Sequence, residues 1–179
     1  RLRSRGLGDV YKRQILVIHS GGDSKRVPQY SACGKLFSPV PRALPDGRSS
    51  TLFDEFIIAM TSLAGRFPDG MVVLSGDVLL LFNPLQIDLQ YHGAAAISMK
   101  EPVEIGQNHG VFLNDGHDHV ARCMQKQSVE TLQAAGAVND NGMVDIDTGA
   151  VVLDAALLNA LFHLISTDGK VDDQKFAQF

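Results

Sequence analysis

No apolar run in this 179-residue chain approaches the roughly 20 residues needed to span a bilayer, so the sequence holds no candidate transmembrane helix. The opening residues are polar and Arg-rich without an apolar stretch behind them, which is not the layout of a secretory leader. Cysteine is scarce. Cys33 and Cys123 stand far apart in no metal-like spacing, and they are expected to be free thiols in the reducing cytosol, so the chain reads as cytoplasmic. Internal repeats and low-complexity tracts are lacking too, which excludes solenoids and linker-like chains. What remains is ordinary for a soluble core: 45% hydrophobic and 20% charged residues. The length fits one domain, or an incomplete piece of a larger one.

Charge is unevenly distributed. The net charge is −4, yet residues 1–14 hold five of the 16 basic side chains and one of the 20 acidic ones. A basic arm for nucleic acid is one reading of that segment. It also lacks an initiator Met and any clear periodicity, and it resembles translated adaptor sequence, so a non-native tail is favoured. Without it the chain has 11 basic and 19 acidic residues, a net −8 that argues against nucleic-acid binding.

Strand and helix signals alternate through residues 15–179. "ILVI" (Ile15–Ile18) reads as a strand buried on both faces. Residues 19–48 read as loop, broken by Pro28, Pro39, Pro41, Pro45, Gly34 and Gly47. Thr51, with Asp54 three residues on, predicts a capping box for a helix ending at Gly65, with Phe53, Phe56, Ile57, Met60 and Leu63 at helical spacing. Further strands are predicted at Met71–Asp77, Ala94–Ser98 and Gly149–Leu153. Gly110–Lys126 predicts a hairpin turning at Asn114–Asp115–Gly116. Helices are predicted from Ser128 to Gly136 and after the capping Asp154. The alternation implies an α/β sandwich with a mainly parallel sheet and at least one antiparallel strand. No closing element is expected in "DGKVDDQKFAQF" at the end.

The stretch "HSGGDSKRVPQYSACGK" (His19–Lys35) follows the first strand and packs little. Gly21 and Gly22 fall where open α/β sheets bind ligands, and paired glycines let backbone N–H groups converge on an anion. Ser24 adds a hydroxyl, while Arg26 and Lys35 add the positive charge that a triphosphate requires. A tight turn with solvated charges is the plainer account, but these offsets behind a buried strand favour phosphate. The spacing is not that of a Walker loop. Asp77, after "LSG", follows the second strand and by itself reads as a turn aspartate accepting backbone N–H bonds. The "HDH" run (His117, Asp118, His119) has no third ligand and reads as an exposed turn.

With its paired glycines, small residue, Arg and following Lys, this stretch resembles the signature of sugar-1-phosphate nucleotidyltransferases. Within that superfamily it is most similar to the fucose-1-phosphate guanylyltransferase (GDP-fucose pyrophosphorylase) family, often fused to an L-fucokinase. The stretch "GVF…VARCMQKQSVETLQAAGAV…DIDTGAVVL" also resembles that family, so the likeness covers most of residues 15–165. It implies a Rossmann-like, GT-A-like nucleotidyltransferase sandwich with a mostly parallel mixed sheet. It implies Mg²⁺ on Asp77, nucleotide contacts from His19, Gly21, Gly22 and Ser24, and triphosphate contacts from Arg26 and Lys35. It places Lys126 on the phosphate of the sugar 1-phosphate, and Asp147 and Gly149 on the sugar hydroxyls. A solvated lysine, a plain turn aspartate and a His19 bonded to backbone are the structural alternatives.

The implied reaction joins L-fucose 1-phosphate and GTP into GDP-fucose and pyrophosphate. Alternatives are another sugar-1-phosphate nucleotidyltransferase, acting on mannose 1-phosphate or a uridine nucleotide, and a catalytically silent nucleotide-binding domain. A small-molecule kinase is disfavoured by the loop spacing. With a thin acceptor half and a polar end, residues 15–179 are expected to be a fragment that binds nucleotide better than it turns it over.

Overall fold

A computed structural model describes residues 14–19, 27–32, 34–67, 69–79, 82–87, 91–117 and 119–178. The expected tail up to residue 13, loop residues Gly21, Gly22, Ser24 and Arg26, and also Cys33 and Asp118, lie outside the described residues. The strands are β1 (Gln14–His19), β2 (Pro39–Ala43), β3 (Ser49–Thr51), β4 (Gly70–Ser75), β5 (Ala94–Pro102), β6 (Gly110–Asn114), β7 (Val120–Gln125), β8 (Met143–Asp154), β9 (Ser166–Thr167) and β10 (Lys170–Val171). The helices are α1 (Leu52–Ala64), α2 (Val103–Gly106), α3 (Val129–Ala134), α4 (Ala155–Leu164) and α5 (Asp173–Phe176). Among the described residues no helix is long and apolar enough to cross a membrane.

Six strands form a mixed sheet in the order β1-β4-β8-β6-β7, with β5 also paired to β8. The expected mostly parallel sheet is corrected here. Among the described residues β1 and β4 pair in parallel, whereas β4–β8, β6–β7 and β6–β8 are antiparallel. Parallel neighbours need a long crossover, and the segment carrying α1 supplies one between β1 and β4. A tight turn joins β6 to β7, so those two can only run antiparallel. The chain divides into two compact units, Arg1–Ala95 with Val151–Phe179, and Ala96–Ala150.

In the first unit α1 opens on the predicted capping box. The Thr51 hydroxyl accepts from the Asp54 N–H (3.3 Å), and the Asp54 carboxylate accepts from the Thr51 N–H (2.9 Å). Phe56, Met60 and Leu63 of this helix are buried, together with Phe67, Leu74 and Val152. Phe53 and Ile57, expected on the same face, stay exposed. The expectation of a doubly buried β1 is also corrected. Lying at the end of the sheet order, β1 leaves Ile15 and Leu16 exposed, because an end strand has a neighbour on one side only. The predicted loop, residues 19–48, contains two single turns of 3-10 helix, at Pro28–Tyr30 and Lys35–Phe37, and strand β2, which pairs with β3 just beyond it. The last stretch, expected to hold no closing element, forms short elements: β9 and β10 pair through Asp168–Gly169, both at positive φ, and Asp172 caps α5.

The second unit has its own core of Val103, Val111, Met124, Leu132, Val144 and Ile146. Alternation along β8 puts Val144 and Ile146 into that core and turns Asp145 and Asp147 to the opposite face. The hairpin turn is as predicted, with Gly116 N–H donating to the Asn114 side chain (2.7 Å). Ser128 caps α3 by accepting from the Thr131 N–H (3.3 Å). Strand β8 runs 12 residues rather than the five expected.

Candidate functional site

His19 ends β1 and Ser75 ends β4, and the parallel register sets them side by side. The Gly76 N–H donates to the His19 carbonyl (2.9 Å), pinning the turn that carries Asp77 to the carboxyl end of β1. Asp77 therefore sits where open α/β sheets place ligands. Lys35 arrives from its turn of 3-10 helix, anchored by buried Leu36 and by the Ser38 N–H donating to the Lys35 carbonyl (2.9 Å). Its Nζ lies 3.1 Å from Asp77 Oδ2, across 42 residues of sequence. Two side chains singled out separately from the sequence thus meet.

Ser75 was not foreseen. Its hydroxyl donates to Asp77 Oδ1 at 2.8 Å. That bond, followed by the Lys35 contact, holds the Asp77 carboxyl below the usual aspartate range. The clue available in "LSGD" was a hydroxyl two residues before the carboxylate, a spacing at which a local side-chain bond forms. Gly21, Gly22, Ser24 and Arg26 fall outside the described residues, so Lys35 is the described cation on Asp77.

The second unit holds Lys126, Asp147 and Gly149. Lys126 directly follows β7, and its backbone takes φ 48°, a left-handed conformation that costs a non-glycine residue energy. Its N–H donates to the His109 carbonyl (2.9 Å), which closes the turn. Asp147 Oδ1 accepts from the Gly149 N–H (2.8 Å), and Gly149 has φ 73°, open to glycine at no steric cost. This bond orients the carboxylate while Thr148 between them is buried and donates to the Ile97 carbonyl (2.5 Å).

Two more residues join this group. Gly110 pairs with Gln125 across β6 and β7, and a Cβ on Gly110 would lie 2.7 Å from Gln125 Oε1 and 3.2 Å from Asp147 Cβ. The missing side chain leaves room for the Gln125 amide and the Asp147 carboxylate, whose Oε1 and Oδ2 lie 2.7 and 3.6 Å from where that Cβ would be. Sequence reasoning passed over Gly110 and Gln125 because the convergence depends on strand register. On the same sheet face a polar cavity of about 320 Å³ is lined by Ser98, Lys100, Phe112, Asn114 and Asp145, with Lys100 bonded to both Asp145 oxygens at 2.9 and 3.0 Å.

The apolar groove between β1 and α1, about 260 Å³, is lined by none of the predicted site residues. His119 bonds to Asp115 (3.3 Å), and among the described residues no three His, Cys, Asp or Glu side chains group to hold a metal. His117 and His119 are exposed, and Asp118 between them lies outside the described residues.

The arrangement defines a mixed α/β domain with a cation–carboxylate pair past its parallel strands and a second polar cluster built on antiparallel ones. The chain belongs to the family described as the fucose pyrophosphorylase domain, which matches residues 8–176. It is 31% identical over 156 residues to a bifunctional fucokinase/GDP-fucose pyrophosphorylase of Arabidopsis thaliana, covering 79% of this chain and 15% of that protein. It is 30% identical over 138 residues to fucose-1-phosphate guanylyltransferase of Homo sapiens, covering 69% of this chain and 22% of that one. The mouse protein of the same name is 29% identical over 140 residues, covering 70% of this chain and 23% of that protein. The chain thus spans under a quarter of the length of these relatives.

Proposed function

We propose that this domain serves the transfer of a guanylyl group from GTP to L-fucose 1-phosphate, giving GDP-fucose and pyrophosphate. The observation that carries this reading is the Lys35–Asp77 pair past β1 and β4, in a chain of this family. A phosphate oxygen of the sugar 1-phosphate attacks the α-phosphorus, forming one P–O bond. The bond from that phosphorus to the β-bridging oxygen breaks, and pyrophosphate leaves with the electron pair. Phosphate monoesters have a second pKa of about 6, so the acceptor is mainly a dianion at neutral pH and no general base is required.

The protein's task is to align two anions that repel each other. The first unit is assigned the nucleotide. Gly21, Gly22 and Ser24 donate to phosphate oxygens, His19 borders the nucleotide, and Arg26 and Lys35 hold the triphosphate and offset the charge that grows on pyrophosphate. Asp77 suits Mg²⁺, which takes one or two protein carboxylates and fills its shell with water and substrate phosphate. When bound, that ion supplies positive charge to the phosphates. The second unit is assigned the acceptor, with Lys126 on its phosphate and Asp147 and Gly149 on its hydroxyls. A kinase reaction is the class that would supply such an acceptor, and the Arabidopsis relative's name couples the two.

The test is pyrophosphate release and product analysis with GTP, UTP and a panel of sugar 1-phosphates. GTP with L-fucose 1-phosphate is expected to be the preferred pair. Preference for another pair refutes the specificity, and GTP binding without any pyrophosphate exchange refutes catalysis.

A further inference from the structure

Asp77 has two oxygens, and each is engaged. Oδ1 accepts the Ser75 hydroxyl at 2.8 Å, and Oδ2 faces the Lys35 ammonium at 3.1 Å. A dication approaching Oδ2 meets the Lys35 ammonium 3.1 Å from that oxygen, and the two like charges repel, so the carboxylate is freer for a metal once Lys35 has moved away. The two partners are held very differently. Ser75 is the last residue of β4, in register with His19, and the following turn is tied to β1 by the bond from Gly76 to the His19 carbonyl. Lys35 has a fixed backbone but reaches Asp77 through a flexible four-carbon stem. Lys35 is the partner that can leave.

We propose that Lys35 is the cation Asp77 holds until nucleotide arrives, and that Ser75 is the positioning residue keeping Oδ2 turned to the place the metal takes. This rests on Asp77 being the metal ligand. The side chains of Lys35 and Asp77 are 26% and 45% exposed, and ion pairs that solvent can reach are weak. Such a pair yields readily to a better partner, and triphosphate is a better partner for an ammonium than one carboxylate. A metal ion arriving alone meets a like charge at Oδ2. Arriving with the triphosphate, it finds Lys35 drawn onto phosphate and the oxygen free. Metal and nucleotide then promote each other's binding by the same factor.

Mn²⁺ serves as the probe, with the full chain. Its binding without nucleotide is followed by electron paramagnetic resonance, and GTP affinity is measured by calorimetry with and without the ion. The parent is expected to bind Mn²⁺ weakly alone, while Mn²⁺ raises its GTP affinity at least tenfold. Lys35→Met should tighten nucleotide-free Mn²⁺ binding several-fold and shrink the Mn²⁺ effect on GTP; Lys35→Gln provides a second uncharged variant. Ser75→Ala should reduce the Mn²⁺ effect several-fold at unchanged melting temperature, and Ser75→Thr should restore it. Asp77→Asn separates the two ideas. If GTP affinity in Asp77→Asn still responds to Mn²⁺ as in the parent, the metal reading itself fails. If that response is lost but neither Lys35 variant tightens nucleotide-free Mn²⁺ binding, the exchange is overturned and the metal reading stands. A parent-like Ser75→Ala overturns the positioning role.

Discussion

Gly110→Ala tests the proposed acceptor cluster with a single methyl group. Gly110 is buried on β6, and an added Cβ would sit 2.7 Å from Gln125 Oε1 and 3.2 Å from Asp147 Cβ. Both distances are shorter than ordinary van der Waals contact, so the neighbours must move by some tenths of an ångström. Gln125 is exposed and its amide can swing away at little cost. Asp147 is half-buried and tied to the Gly149 N–H at 2.8 Å, so it yields less. The expected loss of stability is about 1 kcal/mol, the low end of what overpacking costs. Binding suffers more. Losing one or two hydrogen bonds of about 1 kcal/mol each to the sugar weakens acceptor binding by about tenfold, or 1.4 kcal/mol. Calorimetry with L-fucose 1-phosphate and with GTP, together with a melting curve, reads all three quantities. An unchanged affinity for L-fucose 1-phosphate refutes the reasoning, and so does an equal loss for GTP.

Lys126→Gly relieves a left-handed backbone, which costs a side chain roughly 1–2 kcal/mol, so the variant should melt no lower than the parent while acceptor affinity falls. A lower melting temperature would show that Lys126 is structural. Asp54 is held down to about 2, first by the Arg48 hydrogen bond and then by Thr51. Its folded value lies below the unfolded one, so its contribution is complete above the usual aspartate range and is lost as pH falls through about 2; acid unfolding of Asp54→Asn beside the parent checks this. Leu74→Ala and Leu132→Ala each empty a fully buried site and should cost about 2–5 kcal/mol in urea unfolding. Hydrogen exchange should show the loss of protection concentrated around β4 for the first and in residues 96–150 for the second.

Local features were legible in the chain. The capping box at Thr51–Asp54, the Ser128 and Asp154 caps and the Asn114–Gly116 turn depend on residues within four positions of one another, and each formed as read. The "STDGK" turn obeys the same logic, and its hairpin was passed over only because the segment was read as an open end. Membership of the family was legible as well, since it rests on the order of side chains along the chain. Which strands become neighbours is a different kind of fact. Nothing near Gly149–Leu153 states that β8 will run 12 residues and return antiparallel to β4 and β6, or that β1 will lie at the end of the sheet order with Ile15 exposed. The proposed site depends on those pairings. Lys35 and Asp77 were each marked by the sequence, but 42 residues separate them and only the folded chain makes them one ion pair. Gly110, Gln125 and Asp147 converge for the same reason: register decides which side chains face each other, and register is set by packing across strands far apart in sequence.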